Sequence, residues 1–159
     1  MPTSKNYLLD VNCWLAAAAR RHSHHPQAKS WLDSAGMPIF FCRVTQMAFL
    51  RLVSNPKVMG ADVLTSQQAW ETYRKFRSDP RILYAEEPPD LEKFWLEMTD
   101  NAEFRQNMWT DSYVAAFAKA GNLTVVTFDT GFQQFLNVDV VILENASKPE
   151  NQRELPPPH

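Results

Sequence analysis

Short apolar runs alternate with longer amphipathic stretches along this chain. The runs are Tyr7–Leu9, Ile39–Cys42, Arg81–Ala85, Leu123–Phe128 and Val138–Leu143. They lack the in-out alternation of a half-solvated strand, so they read as strands buried on both faces. Leu123–Phe128, a continuous β-branched stretch, is the strongest of them. The intervening segments have helical spacing. Asn12 caps a helix over Cys13–Arg21, with Trp14, Leu15 and Ala18 on one face. Pro26–Ala35 follows, with Pro at its start and Gly36 past its end. Thr45 caps a helix to Ser54, stopped by Asn55-Pro56. Thr65-Ser66-Gln67-Gln68 has capping-box spacing and opens a helix to Ser78. Its Trp70, Tyr73 and Phe76 recur at helical spacing, as core or dimer-contact residues would. Asp90 caps a helix carrying Leu91, Phe94, Trp95 and Met98. Residues 100–108 are polar and read as a loop. Thr110 begins an alanine-rich helix ending at Gly121-Asn122, and a short helix covers Gly131–Leu136.

Strands alternating with helices, and strands without a polar face, predict an α/β fold with a mostly parallel sheet covered on both sides. The pattern occupies one domain, residues 1–144. Residues 145–159 are polar, end in three consecutive prolines before His159, and read as a disordered tail.

Composition changes this picture little. Hydrophobic residues make up 45% and charged residues 21% of 159 residues, an ordinary globular balance. A net charge of −2 provides no global basic signature, although a local basic rim suffices for a nucleic-acid enzyme. Cys13 and Cys42 lie in apolar surroundings and read as buried thiols of a reducing, cytoplasmic protein. No apolar run reaches the ~18 residues of a membrane helix. His22-Ser23-His24-His25 matches no standard zinc spacing and reads as a polar turn between helices.

Candidate chemistry rests on three acids. Asp10 and Asp129 follow apolar strands, and Asp111 lies in the first turn of a helix. If the two strands are neighbours and the helix starts at their C-terminal rim, the three carboxylates converge. Clustered carboxylates repel unless a proton or a cation intervenes. Hard oxygen donors favour Mg²⁺ or Mn²⁺ with open positions for water and phosphate oxygens. Each acid also has a structural role available: Asp10 as a helix cap, Asp111 against a helix dipole, Asp129 in a turn.

Four segments carry a resemblance. Leu9-Asp10-Val11-Asn12, Val44-Thr45-Gln46, Trp109-Thr110-Asp111-Ser112-Tyr113-Val114-Ala115-Ala116-Phe117-Ala118 and Val126-Thr127-Phe128-Asp129-Thr130-Gly131-Phe132 resemble, in order and spacing, the motifs of PIN domains. They are most similar to those of the VapC toxins of bacterial toxin–antitoxin pairs. Phe41-Cys42-Arg43-Val44-Thr45-Gln46, with Phe49-Leu50-Arg51-Leu52 and Asn55-Pro56, resembles one VapC subgroup. The resemblance spans residues 6–143. It implies a three-layer α/β/α sandwich and a Mg²⁺- or Mn²⁺-dependent endoribonuclease. It further implies a homodimer neutralised by a cognate antitoxin. Asp10, Asp111 and Asp129 match metal-site acids, Asn12 a small polar position that steadies the first Asp, and Thr127 a polar residue beside the last.

The sequence departs from the family at one position. Many PIN domains place a Glu three residues after the Thr or Ser of the second motif, and Ala48 stands there. Gln46 lies nearly opposite Ala48 on a 3.6-residue period. It remains a supporting residue able to meet a metal-bound water or RNA from its own direction. Glu86 and Glu87 are outside alternatives. Arg43 and Arg51 flank the second motif as candidate phosphate contacts, with solvated surface arginines as the plain alternative. Arg20, Arg21 and the histidines form another positive patch, and Trp109 is available for base stacking or for packing at its helix start. A non-catalytic PIN-like protein that binds RNA or a partner is the rival reading, supported by Ala48. A phosphatase using Asp10 as nucleophile lacks the second Asp, the Thr and the positioned Lys of such enzymes.

Overall fold

The computed structural model describes residues 5–36 and 38–144. The tail expected at 145–159 lies outside them. In chain order the elements are β1 (Tyr7–Leu9), α1 (Val11–Ala18), α2 (His25–Ser34), β2 (Ile39–Phe41), α3 (Arg43–Val53) and α4 (Pro56–Met59). They continue with α5 (Ser66–Arg77), β3 (Ile82–Tyr84), α6 (Leu91–Thr99), α7 (Trp109–Gly121), β4 (Thr124–Thr127) and β5 (Val140–Ile142). Short 3₁₀ turns cover Gly60–Asp62, Gln106–Met108 and Thr130–Gln134.

All four strand pairings are parallel, and the spatial order is β3-β2-β1-β4-β5. β1 lies at the centre, with Leu8 opposite Phe40 on one side and Val125 on the other. The chain winds outward through β2 and β3, then returns to β1's free edge with β4. That reversal between β1 and β4 opens a crevice at their C-terminal ends, where ligands of open α/β sheets bind.

Alternation along the strands divides the core into two layers. Leu9, Ile39, Phe41, Ile82 and Val126 face α1, α2, α3 and α5. Leu8 and Val125 face Val114, Ala115 and Ala118 of α7 together with Leu91 of α6. In the first layer Trp14 stacks on Phe41 with centroids 3.8 Å apart, and Phe41 meets Tyr73 at 5.0 Å. In the second, alanines let α7 lie close on the sheet. The expected sandwich with a parallel sheet is therefore present. Of the α5 aromatics, Tyr73 and Phe76 serve the core, while Trp70 is exposed.

Several helix starts differ from the sequence reading. α1 begins two residues early because Asp10, not Asn12, is its cap: Oδ1 accepts from Val11 N at 2.8 Å. α3 is capped at Cys42. Thr45 sits inside it, its hydroxyl accepting from Cys42 N and donating to Cys42 O, both at 3.0 Å. Asp90 precedes α6 in a left-handed conformation, φ 68°, and makes no side-chain cap. At Asp10 and Cys42 the helix follows its strand after a single residue, and that tight junction sets where helical dihedrals begin. Asn55 both stops α3 and caps α4, a turn of helix not anticipated, by accepting from Lys57 N at 2.9 Å.

Candidate functional site

The N–H of Asp10 continues the β1–β4 ladder, donating to Val126 O at 2.9 Å. Asp10 is thus placed by the sheet itself, one residue past β1, and its side chain is buried, 7% exposed. Both carboxylate oxygens have donors. Oδ1 takes Val11 N, and Oδ2 takes the Thr127 hydroxyl at 2.7 Å. Thr127, fully buried at the end of β4, also accepts from Asn12 Nδ2 at 3.2 Å and Asp129 N at 3.0 Å. Asn12 Oδ1 in turn accepts from Phe128 N at 3.4 Å. One hydroxyl and one amide therefore tie the end of β1 to the end of β4. Asn12 is in α1 rather than at its cap, which frees its amide for this link.

Asp129 follows on the loop after β4. Its Oδ1 accepts from Gly131 N at 2.8 Å, so the turn role expected for it is real. Gly131 suits this spot: a Cβ there would come within 2.9 Å of the same oxygen and displace the carboxylate. The sequence shows a Gly after Asp-Thr, but only the fold reveals how closely the carboxylate crosses it.

Asp111 enters from the opposite layer, in the first turn of α7, and is half-buried. Ser112 steadies that turn, donating to Trp109 O and accepting from Trp95 Nε1, each at 2.9 Å. Burial, and then the charges of Asp10 and Asp129, push the Asp111 carboxyl up to about 6. Asp10 is also raised, chiefly by burial, with the Thr127 and Val11 hydrogen bonds opposing. The fold therefore brings the three acids into electrostatic contact at one rim. Among the described residues, no three His, Cys, Asp or Glu side chains are gathered tightly enough to ligate one ion as they stand.

Gln46 is buried, and its Oε1 accepts from Arg43 Nη1 at 2.5 Å. Arg43 is exposed and lies over Tyr84, 5.0 Å from the ring centre. Arg51 is exposed in the last turn of α3, away from the Arg43 end. Glu87 is committed elsewhere, accepting from Tyr113 Oη at 2.7 Å. The carboxylates acting on Asp111 are Asp10 and Asp129.

The histidines are structural. His25 Nδ1 lies 2.7 Å from Ala16 O, and His24 stacks on Phe128 at 4.8 Å, behind the loop that carries Asp129. Arg21 of the same patch reaches Asp62 at 3.7 Å. Cys13 and Cys42 are buried free thiols, both raised by desolvation.

A parallel α/β/α sheet with acids at the β1–β4 crevice defines a class, and comparison with known proteins agrees with it. The family model for the PIN domain matches residues 7–136. Ribonuclease VapC41 of Mycobacterium tuberculosis is 40% identical over 142 residues, covering 86% of this chain and 97% of that protein. Among solved structures, M. tuberculosis VapC20, described as a Sarcin-Ricin loop cleaving toxin, aligns with a TM-score of 0.62. Its sequence identity is 17%, with 84% of this chain and 98% of that one covered. Rickettsia felis VapBC2, bound to a DNA fragment from its promoter, also aligns at 0.62, with 16% identity and 87% and 99% coverage. At these identities the two structures share the fold. The chain belongs to the PIN domain family, and within it to the VapC group.

Proposed function

We propose that this protein is the toxin of a VapBC-type pair, a Mg²⁺- or Mn²⁺-dependent endoribonuclease whose metal is held by Asp10, Asp111 and Asp129. The observation that carries this reading is the meeting of three carboxylates at the β1–β4 crevice, where burial and then the charges of Asp10 and Asp129 raise Asp111 to about 6. Oxygen donors of like charge suit a hard divalent cation, which cancels their repulsion. When bound, such an ion supplies polarisation of the phosphodiester and an activated water.

The chain's own residues have separable tasks. Asp10 is the anchored acid, fixed through both oxygens, so it provides a rigid reference for the ion. Thr127 and Asn12 hold Asp10 and the Asp129 backbone in register, as outer-shell partners of metal ligands do. Asp111 and Asp129 would supply the remaining carboxylate oxygens to the ion. Gln46 positions Arg43, whose exposed guanidinium meets RNA phosphate at the α3 end of the crevice. Arg51, exposed further along α3, serves RNA or a protein partner. The relatives support a cognate antitoxin as partner and RNA as substrate, since one bears the name ribonuclease and another was solved as a VapBC complex. A homodimer is part of the same reading.

Purified protein incubated with RNA and Mn²⁺ should cleave internally, and Asp10→Asn, Asp111→Asn or Asp129→Asn should each abolish cutting. Unchanged cleavage by all three would refute the assignment. Ala48, in place of the family's common Glu, favours a second reading, a PIN-like protein that binds RNA or a partner without cutting it. RNA binding with neither Mn²⁺ binding nor cleavage would establish that alternative.

A further inference from the structure

Trp109 immediately precedes Thr110-Asp111, and it is 51% exposed. Packing at a helix start is only half of what the structure shows for it. Phe104 lies 4.7 Å from it at 68°, and Trp95 lies 5.9 Å away at 88°. Both rings stand steeply inclined to the indole and pack against it, and neither lies parallel to it. Its carbonyl is held by Ser112, which Trp95 fixes in turn. The indole is therefore packed against its neighbours and about half open to solvent, and holding it costs little further side-chain entropy on binding.

Its surroundings indicate what the surface takes. Asp111, two residues on, belongs to the acid crevice, while Arg105, four residues earlier, is exposed and in no ion pair among the described residues. An exposed aromatic ring at the start of the helix that carries Asp111, with that cation four residues away in sequence, offers the two groups that single-stranded nucleic acid uses: bases stack while cations meet the backbone. We propose that Trp109 stacks on an unpaired nucleobase adjacent to the scissile phosphate, with Arg105 meeting the neighbouring phosphate. This rests on the reading of the crevice as a ribonuclease site. It makes Trp109 a determinant of where along an RNA the enzyme cuts, and it directs the enzyme to unpaired segments.

The test is fluorescence anisotropy with a labelled oligoadenylate 12-mer and an abasic ribose-phosphate 12-mer, in low salt with EDTA. Repulsion by the acids acts on both probes, so their affinity ratio isolates the base. Wild type should prefer the oligoadenylate by about 5- to 100-fold. Trp109→Ala should collapse the ratio towards one, whereas Trp109→Phe retains most of it. Trp109→Leu, which keeps apolar bulk but lacks a π face, should behave like the alanine variant and serves if that variant does not fold. Arg105→Ala should weaken both probes alike. A wild-type ratio near one, or an unchanged ratio in Trp109→Leu, overturns the proposal. An unchanged ratio with a shifted oligomeric state would also overturn it, assigning the indole to a protein contact. The readout requires no cleavage. Loss of the nuclease assignment would appear instead as unchanged cutting by the aspartate variants.

Discussion

The hydroxyl of Thr127 donates to Oδ2 of Asp10 across 2.7 Å, although 117 positions separate the two in the chain. It joins the ends of the central strand and its returning neighbour, and its lone pairs accept from Asn12 and from the backbone of Asp129. Replacing it with valine keeps the shape and removes the donor. We expect Thr127→Val to lower Mn²⁺ affinity or cleavage by about 10- to 100-fold, with Thr127→Ser close to wild type. Calorimetric Mn²⁺ titration beside cleavage assays checks this, and wild-type affinity in the valine variant would contradict it.

Asp111 costs the metal-free protein stability. Burial and the neighbouring Asp10 and Asp129 push its folded carboxyl up to about 6, well above the ordinary carboxylate range. The folded state therefore holds the proton more tightly than the unfolded state. Stability relative to an uncharged residue is unaffected below about 4, falls as pH rises towards 6, and stays reduced above it. After allowance for partial solvent exposure the loss is on the order of 1 kcal/mol. In EDTA, Asp111→Asn should melt higher than wild type at pH 7.5 and match it at low pH. Equal melting temperatures at pH 7.5 would show that the carboxylate is not strained.

Divalent cations should reverse that penalty. Mn²⁺ at about 100 times its dissociation constant should stabilise the protein by about 2.7 kcal/mol. A triple Asp10→Asn, Asp111→Asn, Asp129→Asn variant should show no such gain. Differential scanning calorimetry with and without EDTA measures both, and an equal metal-induced shift in the triple variant would place the ion elsewhere.

Gly131→Ala tests the loop that presents Asp129. The new Cβ would sit 2.9 Å from Oδ1, so the carboxylate must turn away and lose its bond to Gly131 N. Cleavage should fall at least about tenfold, as expected when a catalytic group is misplaced. The far-ultraviolet circular dichroism should be unchanged, because Gly131 itself is exposed and lies outside the α-helices and strands. Full activity would show that Asp129 need not hold this rotamer.

The sequence by itself determined the main elements and their order, the single turn of α4 excepted, because strand runs, helical periodicity, the Thr65–Gln68 capping box and the Asn122 stop are settled by near neighbours. It also revealed which acids to watch, through four motifs whose spacing resembles a family's. Tertiary structure decided the rest. Strand order β3-β2-β1-β4-β5 puts β1 against β4, and only that adjacency lets Thr127 reach Asp10 and brings Asp129 beside it. Caps were misread where junction geometry outweighed propensity, as at Asp10 and Cys42. Neither the Arg43–Gln46 bond nor the braced exposure of Trp109 could be read from spacing. Which face of a helix is left open depends on what the rest of the chain packs against it.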